Sequence, residues 1–257
     1  MHSAAPVKDS FPPAELAARL ETAARVQCFQ VETFGTAGGV PLLALSRRSS
    51  GVKPRIYLSA GIHGDEPAPP LALLDLLERG WFDDRAVWFL CPLLNPTGFA
   101  QGTRENADGI DLNRDFKSPR TAEIRGHVAW LGRQPAPDLA MCLHEDWEAT
   151  GFYLYELNAL GLLSPARAIL EAVATVCPVD GATLIDGRAI DEPGIIRPVA
   201  DPLLRDSWPE SIYLRHQHAR LGYTVESPSA LPLATRIAAL QQAVAVAVEA
   251  TVRRGRA

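Results

Sequence analysis

Three apolar runs of the sequence each lead into a residue that could bind a metal ion or carry a proton. Residues 55–62 precede His63, and Glu66 follows His63 three positions later. A second apolar run precedes His144, and a third precedes Glu226. A catalytic zinc ion takes three protein ligands from histidine and carboxylate side chains and keeps one position for water. His63, Glu66 and His144 match that ligand set, and Glu226 remains as a candidate general base.

Charged residues are concentrated in a stretch that lacks helical or strand periodicity, residues 95–118. Loops of that length inside a compact domain are usually either functional or disordered. Arg104, Asn113 and Arg114 could be solvated loop residues. They could also bind an acidic substrate, because a planar guanidinium grips a carboxylate through two parallel hydrogen bonds.

Each of these motifs has a plainer explanation when it is taken alone. A single His-x-x-Glu pair can occur by chance, and His144 could be a satisfied core histidine. The acidic residues at positions 145–148 could orient a ligating imidazole. A helical zincin motif would need a second histidine at position 148, where the sequence has Glu148. The combination of motifs therefore favours a metal site that is not of the helical zincin type.

The remaining histidines and the cysteines have no partner at metal-ligand spacing. We expect the histidines to face solvent, namely His2, His127, His216 and His218. The four cysteines form no C-x-x-C pair, and we expect them to be buried thiols, namely Cys28, Cys91, Cys142 and Cys177.

The composition is that of an ordinary globular chain. Of the 257 residues, 47% are hydrophobic and 21% are charged, and the formal net charge is −5. That charge gives no electrostatic reason to expect nucleic acid or an anionic membrane as a partner. Apolar stretches remain shorter than the roughly 18 residues typical of a membrane span, and the first residues lack a secretory signal pattern. We therefore expect a cytoplasmic protein.

Predicted strands and helices alternate along most of the chain. We expect a hairpin from strands 26–33 and 40–46, a central strand at 55–60, and further strands at 86–90, 138–143, 152–156 and up to Glu226. The first predicted helix begins near residue 13, and the others span about 67–79, 120–132, 164–176, 209–221 and 234–253. This order predicts a single α/β domain over residues 1–257, with a mixed, mostly parallel twisted sheet and helices on both faces. In such sheets ligands bind beyond the carboxyl ends of the strands.

Together, the Gly-Ile-His63-Gly-Asp-Glu66 segment, the Asp111-Leu-Asn113-Arg114 block, His144 and Glu226 resemble the zinc carboxypeptidase superfamily. The resemblance runs from about residue 55 to the C-terminus. It implies one zinc ion per chain, with the ligands His63, Glu66 and His144. It further implies Glu226 as general base, Arg104 as the oxyanion-stabilising arginine, and a clamp for the substrate carboxylate formed by Asn113 and Arg114.

Two branches of that superfamily share features with the sequence. Digestive-type carboxypeptidases usually have arginine before the ligand glutamate, where this chain has Asp65. The His-Gly-x-Glu order is more similar to the aspartoacylase and succinylglutamate desuccinylase branch. This combination of features from both branches looks most like compact bacterial members related to murein peptide amidases, which are cytoplasmic enzymes. A substrate-capping tyrosine is expected on the peptidase side, and Tyr213 and Tyr223 are the candidates.

The resemblance implies zinc-dependent hydrolysis of an amide bond in a small peptide that carries a free carboxylate. A second hypothesis is an N-acyl amino-acid deacylase, which uses the same residues on a smaller substrate. A third is a non-enzymatic zinc- or carboxylate-binding domain. The presence of Glu226 argues against the third hypothesis, because such a domain would have lost its base.

Overall fold

The structure is a computed structural model that describes residues 11–255, except for residues 159, 186, 191, 199–203 and 218. The helices are α1 (Pro13–Val26), α2 (Ala68–Glu78), α3 (Pro96–Gln101), α4 (Ala122–Leu131), α5 (Ala166–Val173), α6 (Glu210–His216) and α7 (Leu233–Arg254), with a 3-10 helix η1 (Leu112–Arg114). The strands are β1 (Gln30–Ala37), β2 (Val40–Arg47), β3 (Arg55–Ser59), β4 (Val87–Cys91), β5 (Leu139–Asp146), β6 (Tyr153–Leu157), β7 (Leu184–Ile185), β8 (Arg188–Ala189), β9 (Ile195–Ile196) and β10 (Gly222–Pro228).

Eight of the described strands form one mixed sheet, in the order β1-β2-β4-β3-β5-β10-β6-β9. The four central strands β4, β3, β5 and β10 are parallel to one another. The hairpin β1–β2 and strand β6 add antiparallel pairs on the two sides of this centre. The carboxyl ends of β3, β5 and β10 therefore lie at one edge of the sheet, as the sequence predicted.

The two faces of the sheet are covered by different helices. Alternate residues of β5 point to opposite faces, because successive side chains of a strand alternate. Leu139, Met141 and Leu143 belong to the core shared with α1, α2, α5 and α7. Ala140 and Cys142 belong to the core shared with α4 and α6. The predicted single α/β domain with helices on both faces is confirmed.

Two predicted strands differ from the observed ones by three or more residues at an end. The first strand begins at Gln30, because α1 continues to Val26 and Cys28 adopts a left-handed backbone with φ of 59° between the two elements. Strand β5 continues through Asp146, three residues beyond the predicted end at 143. The polar residues that suggested a loop are the last residues of the strand itself.

Helix α7 is the one helix of the described residues that is long and apolar enough to cross a membrane by length and composition. Its buried residues recur at helical spacing, and the helix packs against α2 and α5. A core helix of a globular domain passes the same test of length and composition. We therefore assign α7 to the hydrophobic core.

Candidate metal centre

His63, Glu66 and His144 converge in the structure, and all three are buried. The Nδ1 atom of His63 lies 2.5 Å from Oε1 of Glu66, and Nδ1 of His144 lies 2.9 Å from Oε2. Their potential ligand atoms all lie within 4.8 Å of one another. Two imidazole nitrogens and one carboxylate, facing a common point, form the donor set of a catalytic zinc site. These residues fit a metal ion.

The loop after β3 holds His63 through two glycines. Gly61 has a φ of +65°, a conformation that side chains rarely adopt. A Cβ atom on Gly64 would lie 1.9 Å from the carbonyl carbon of Gly98, at the start of α3. Only glycine allows these two loops to pack so closely. Glu66 lies two residues before α2, so the three positions from His63 to Glu66 span this tight turn.

His144 and Glu226 lie side by side on neighbouring parallel strands. Glu226 of β10 is the register partner of His144 on one side and of Tyr153 on the other. Adjacent strands are about 4.8 Å apart, and register partners point to the same face. The sequence predicted that His144 follows its strand and that Glu226 ends its strand, whereas β5 continues through Asp146 and β10 through Pro228. Glu226 is half-buried there.

Opposite charges shift the pKa values of Glu66 and His63. Burial alone would raise the pKa of Glu66, but His144 and His63 outweigh it and lower the pKa to about 2. Burial acts to lower the pKa of His63, whereas Glu66 and Asp111 raise it to about 9. Glu66 is therefore a carboxylate at neutral pH, and a metal ion must displace a proton from His63 when it binds.

Arg104 reaches the triad together with a residue to which the sequence assigned no role, Asp111. The Nε atom of Arg104 donates to Oδ2 of Asp111 over 3.0 Å, and its Nη1 lies 3.3 Å from Nδ1 of His63. Oδ1 of Asp111 lies 3.4 Å from Nε2 of His63, a contact without hydrogen-bond geometry. The carboxylate of Asp111 thereby favours the tautomer of His63 that carries its proton on Nε2. In that tautomer Nδ1 can bind a metal.

Arg104 and Asp111 are themselves held by caps of short helices. Asn95 is buried at the N-cap of α3, where its oxygen accepts from the backbone of Gly98 and its amide donates to the carbonyl of Arg104. Asp111 caps η1 by accepting from the backbone of Asn113 over 2.8 Å. The predicted loop is therefore ordered by side-chain caps, and its Asp-Leu-Asn-Arg signature was the signal that could have identified Asp111.

Asn113 and Arg114 lie in the same loop but differ in their surroundings. Asn113 is buried, and its side-chain oxygen accepts from the backbone N–H of Glu210 over 2.8 Å. Arg114 is exposed, and its Nη1 donates to the carbonyl of Asn113. Arg114 is thus available to an anionic ligand, whereas the oxygen of Asn113 already fastens this loop to α6.

A buried polar cluster lies on the same face of the sheet, below the triad. Both carboxylate oxygens of Glu210 accept hydrogen bonds, from Tyr57 over 2.6 Å and from Ser59 over 2.8 Å. The hydroxyl of Tyr57 also lies 2.8 Å from Nε2 of His127. The expectation that His127 faces solvent is wrong, since it is fully buried and burial lowers its pKa. His216 is exposed as expected, and His2 and His218 lie outside the described residues.

The carboxylates after His144 do not orient its imidazole. Glu145 points to the other face, where it accepts from the backbone of Ala68 and forms an ion pair with Arg236. Burial raises the pKa of Glu145 to about 7. Asp146 accepts from the hydroxyl of Tyr153 over 2.8 Å. The side chains of Glu145 and Asp146 therefore contribute to packing and to contacts at the end of β5.

Neither predicted capping tyrosine lies at the mouth of the site. Tyr223 points to the opposite face of the sheet and donates to Glu156. Tyr213 is buried against Phe116. Of the cysteines, Cys28 is exposed, contrary to expectation, and the other three are buried thiols.

Comparisons with known proteins agree with this geometry. The succinylglutamate desuccinylase/aspartoacylase catalytic domain matches residues 52–156. A provisionally assigned metallopeptidase from Shewanella amazonensis SB2B is 26% identical, with a TM-score of 0.80 over 91% of each chain. One from Shewanella denitrificans OS217 is 22% identical, with a TM-score of 0.81 over 98% of this chain and 99% of its own. No curated protein matches the sequence.

A metallo-carboxypeptidase from Burkholderia cenocepacia shares the fold at 20% identity, with a TM-score of 0.65 over 91% of this chain and 68% of its own. The family match and the structural relatives support a hydrolase that is either metallopeptidase-like or of the succinylglutamate desuccinylase/aspartoacylase type. The matched catalytic domain and the structural relatives together support a zinc carboxypeptidase-like superfamily, with a relation to the succinylglutamate desuccinylase branch.

Proposed function

We propose that this protein is a zinc-dependent hydrolase of an amide bond in a small, carboxylate-bearing peptide. The observation that carries the proposal is the convergence of His63, Glu66 and His144 within 4.8 Å. A zinc ion held by these residues would lower the pKa of a bound water and polarise a carbonyl. We further propose a cytoplasmic location. We also propose a small-molecule substrate, because the net charge of −5 gives no electrostatic reason to expect nucleic acid or an anionic membrane as a partner.

The protein's own side chains would carry the proton and bind the charges. Glu226, beside His144 in the neighbouring strand, would accept a proton from the attacking water and deliver it to the leaving nitrogen. Arg104, held by Asp111, would donate hydrogen bonds to the oxyanion that forms. Arg114, exposed in the same loop, would bind the carboxylate of the substrate, with Asn113 fixing the loop to α6.

An N-acyl amino-acid deacylase is the second candidate function. The match of residues 52–156 to the succinylglutamate desuccinylase/aspartoacylase catalytic domain favours it. Both candidates use the same metal site, and they differ in the size of the acyl group. Values of kcat/KM for γ-linked peptides and for N-acyl amino acids would separate them. A clear preference for acyl amino acids would replace the peptidase assignment.

The catalytic base is tested by Glu226→Gln, with Glu148→Gln as the matched control. Glu148 is an exposed carboxylate close to the same strand end. We expect Glu226→Gln to retain metal and to lose turnover by roughly 10²–10⁴-fold, because an amide cannot accept the proton. The control should keep wild-type turnover. Loss of turnover in Glu148→Gln alone would move the base to that residue.

A further inference from the structure

A cavity of about 610 Å³ lies at the edge of the sheet opposite the metal centre. Arg55 and Val87, the first residues of β3 and β4, line it, as do Asp138 and Arg220, which precede β5 and β10. Pockets for small organic ligands have volumes of about 300–1,000 Å³. The cavity has the size of a ligand site, and the proposed reaction does not use it.

Positive charge is concentrated in this cavity, although the whole chain is negatively charged. Among the described residues, its lining contains one carboxylate, Asp138, and five cationic side chains, those of Arg48, Lys53, Arg55, Arg220 and Arg254. Concave clusters of one charge sign concentrate ligands of the opposite sign. The cavity is therefore suited to an anion.

The carboxylate of Asp138 already forms ion pairs with two of these arginines. Asp138 accepts from Nε of Arg55 over 3.1 Å and from its Nη2 over 3.2 Å, and Nη1 of Arg220 lies 3.6 Å away. The hydrogen bond with Arg55 counteracts burial and keeps the pKa of Asp138 below its usual range. Asp138 therefore stays ionised, and its charge offsets only part of the positive charge.

The other cations of the cavity have no carboxylate partner among the described residues. No acidic group lies within 4.0 Å of the charged nitrogens of Arg48, Lys53 or Arg254 in the part of the chain that the structure describes. The Nη2 atom of Arg254 is also buried without a hydrogen-bond acceptor. A buried charged donor without an acceptor is costly, and no carboxylate of the described residues offsets the charge of Arg254, which lines the cavity.

We propose that this cavity binds a small organic anion that carries two or more phosphate or carboxylate groups. Arginine forks match both groups geometrically. Lys53 and Arg254 would contact the anion, and Phe89, Leu162 and Pro135 form an apolar wall beside it. A concave site of this size favours a small molecule over an extended polyanion. The proposal is independent of the reaction at the metal centre.

Isothermal titration of the metal-loaded protein at constant ionic strength tests the proposal. The probes are inorganic pyrophosphate and propane-1,2,3-tricarboxylate, with metal content measured after each titration. We expect saturable binding of at least one probe, with a stoichiometry of about one per chain. Binding of pyrophosphate alone assigns a phosphorylated ligand, and binding of the tricarboxylate alone assigns a polycarboxylate. Absence of saturable binding by both probes would overturn the proposal.

Variants that remove a positive charge test whether the probe binds in the cavity. Arg254→Gln and Lys53→Gln should each weaken binding on the order of tenfold or more, so the proposal stays testable if one of them fails to fold. Arg125→Gln removes the same charge from an exposed position on α4 and should leave binding unchanged. Arg114→Gln should also leave it unchanged. Loss of binding in Arg114→Gln, or equal weakening in Arg125→Gln, would contradict the proposed site.

Discussion

Replacing Asp111 with asparagine tests how the structure positions the metal centre. The substitution keeps the shape of the side chain and removes its charge. Asp111 accepts from Nε of Arg104 over 3.0 Å and approaches Nε2 of His63 to 3.4 Å. An asparagine can still cap η1 with its oxygen, but its amide group would then face the N–H of Arg104. The variant therefore separates the electrostatic role from the capping role.

The size of the effect follows from the contacts that are lost. Hydrogen bonds to charged groups contribute about 1.5–3 kcal/mol. The Arg104 side chain is 39% exposed, so we take the lower part of that range, about 1.5–2 kcal/mol. This corresponds to a loss of kcat/KM of roughly 10- to 30-fold. Loss of the negative charge beside His63 should also weaken metal binding on the order of 10-fold.

Two assays with a matched control measure this effect. Metal affinity is measured by competition with a chelator, and kcat/KM is measured at saturating metal. Asp108→Asn is the control, because it removes the same charge from an exposed position of the same loop. We expect the control to behave as wild type in both assays. If Asp111→Asn also matches wild type in both, Asp111 does not position the centre, and the reasoning is refuted.

Three further predictions concern the supports of the site. Gly64→Ala should lower the free energy of unfolding by about 2 kcal/mol or more in urea titrations, since its Cβ would meet the backbone of Gly98. Asp115→Asn should cost about 2 kcal/mol at pH 7, because hydrogen bonds from Thr121 help to lower the pKa of this carboxyl against its burial. Because the pKa of Asp115 is lower in the folded than in the unfolded chain, its charge stabilises the fold at pH values above the unfolded pKa. The difference in the free energy of unfolding between wild type and Asp115→Asn should therefore shrink below about pH 4. A difference that stays constant would contradict this. Glu210→Gln should cost about 1–3 kcal/mol, because one of the two buried hydroxyls would face an amide NH2 group in place of a carboxylate oxygen, and unchanged stability would contradict this.

Much of the architecture could be predicted from hydrophobic patterning. The apolar run of β3 predicted a central strand, and alternating helices and strands predicted the two-sided sheet. The convergence of His63, Glu66 and His144 could be predicted because the residue types and spacing of a zinc site are restricted by zinc chemistry. Patterning failed at the end of β5, because its polar residues face the site or accept buried hydrogen bonds and therefore looked like a loop.

Roles that depend on distant contacts could not be predicted in the same way. Asp111 acts through Arg104 and His63, which are 7 and 48 positions away in the sequence. His127 is buried because Tyr57 and Phe34 pack around it from other elements. No local pattern distinguishes such a histidine from a solvent-facing one. Tertiary packing decides its surroundings.

The metal content of the purified protein and of two histidine variants tests the central claim most directly. Elemental analysis should give about one zinc ion per chain for wild type. His144→Ala should lose most of the metal, because one imidazole and one carboxylate remain. His216→Ala, which alters an exposed histidine of α6, should keep it. A His144→Ala protein that is still fully loaded with zinc would contradict the account.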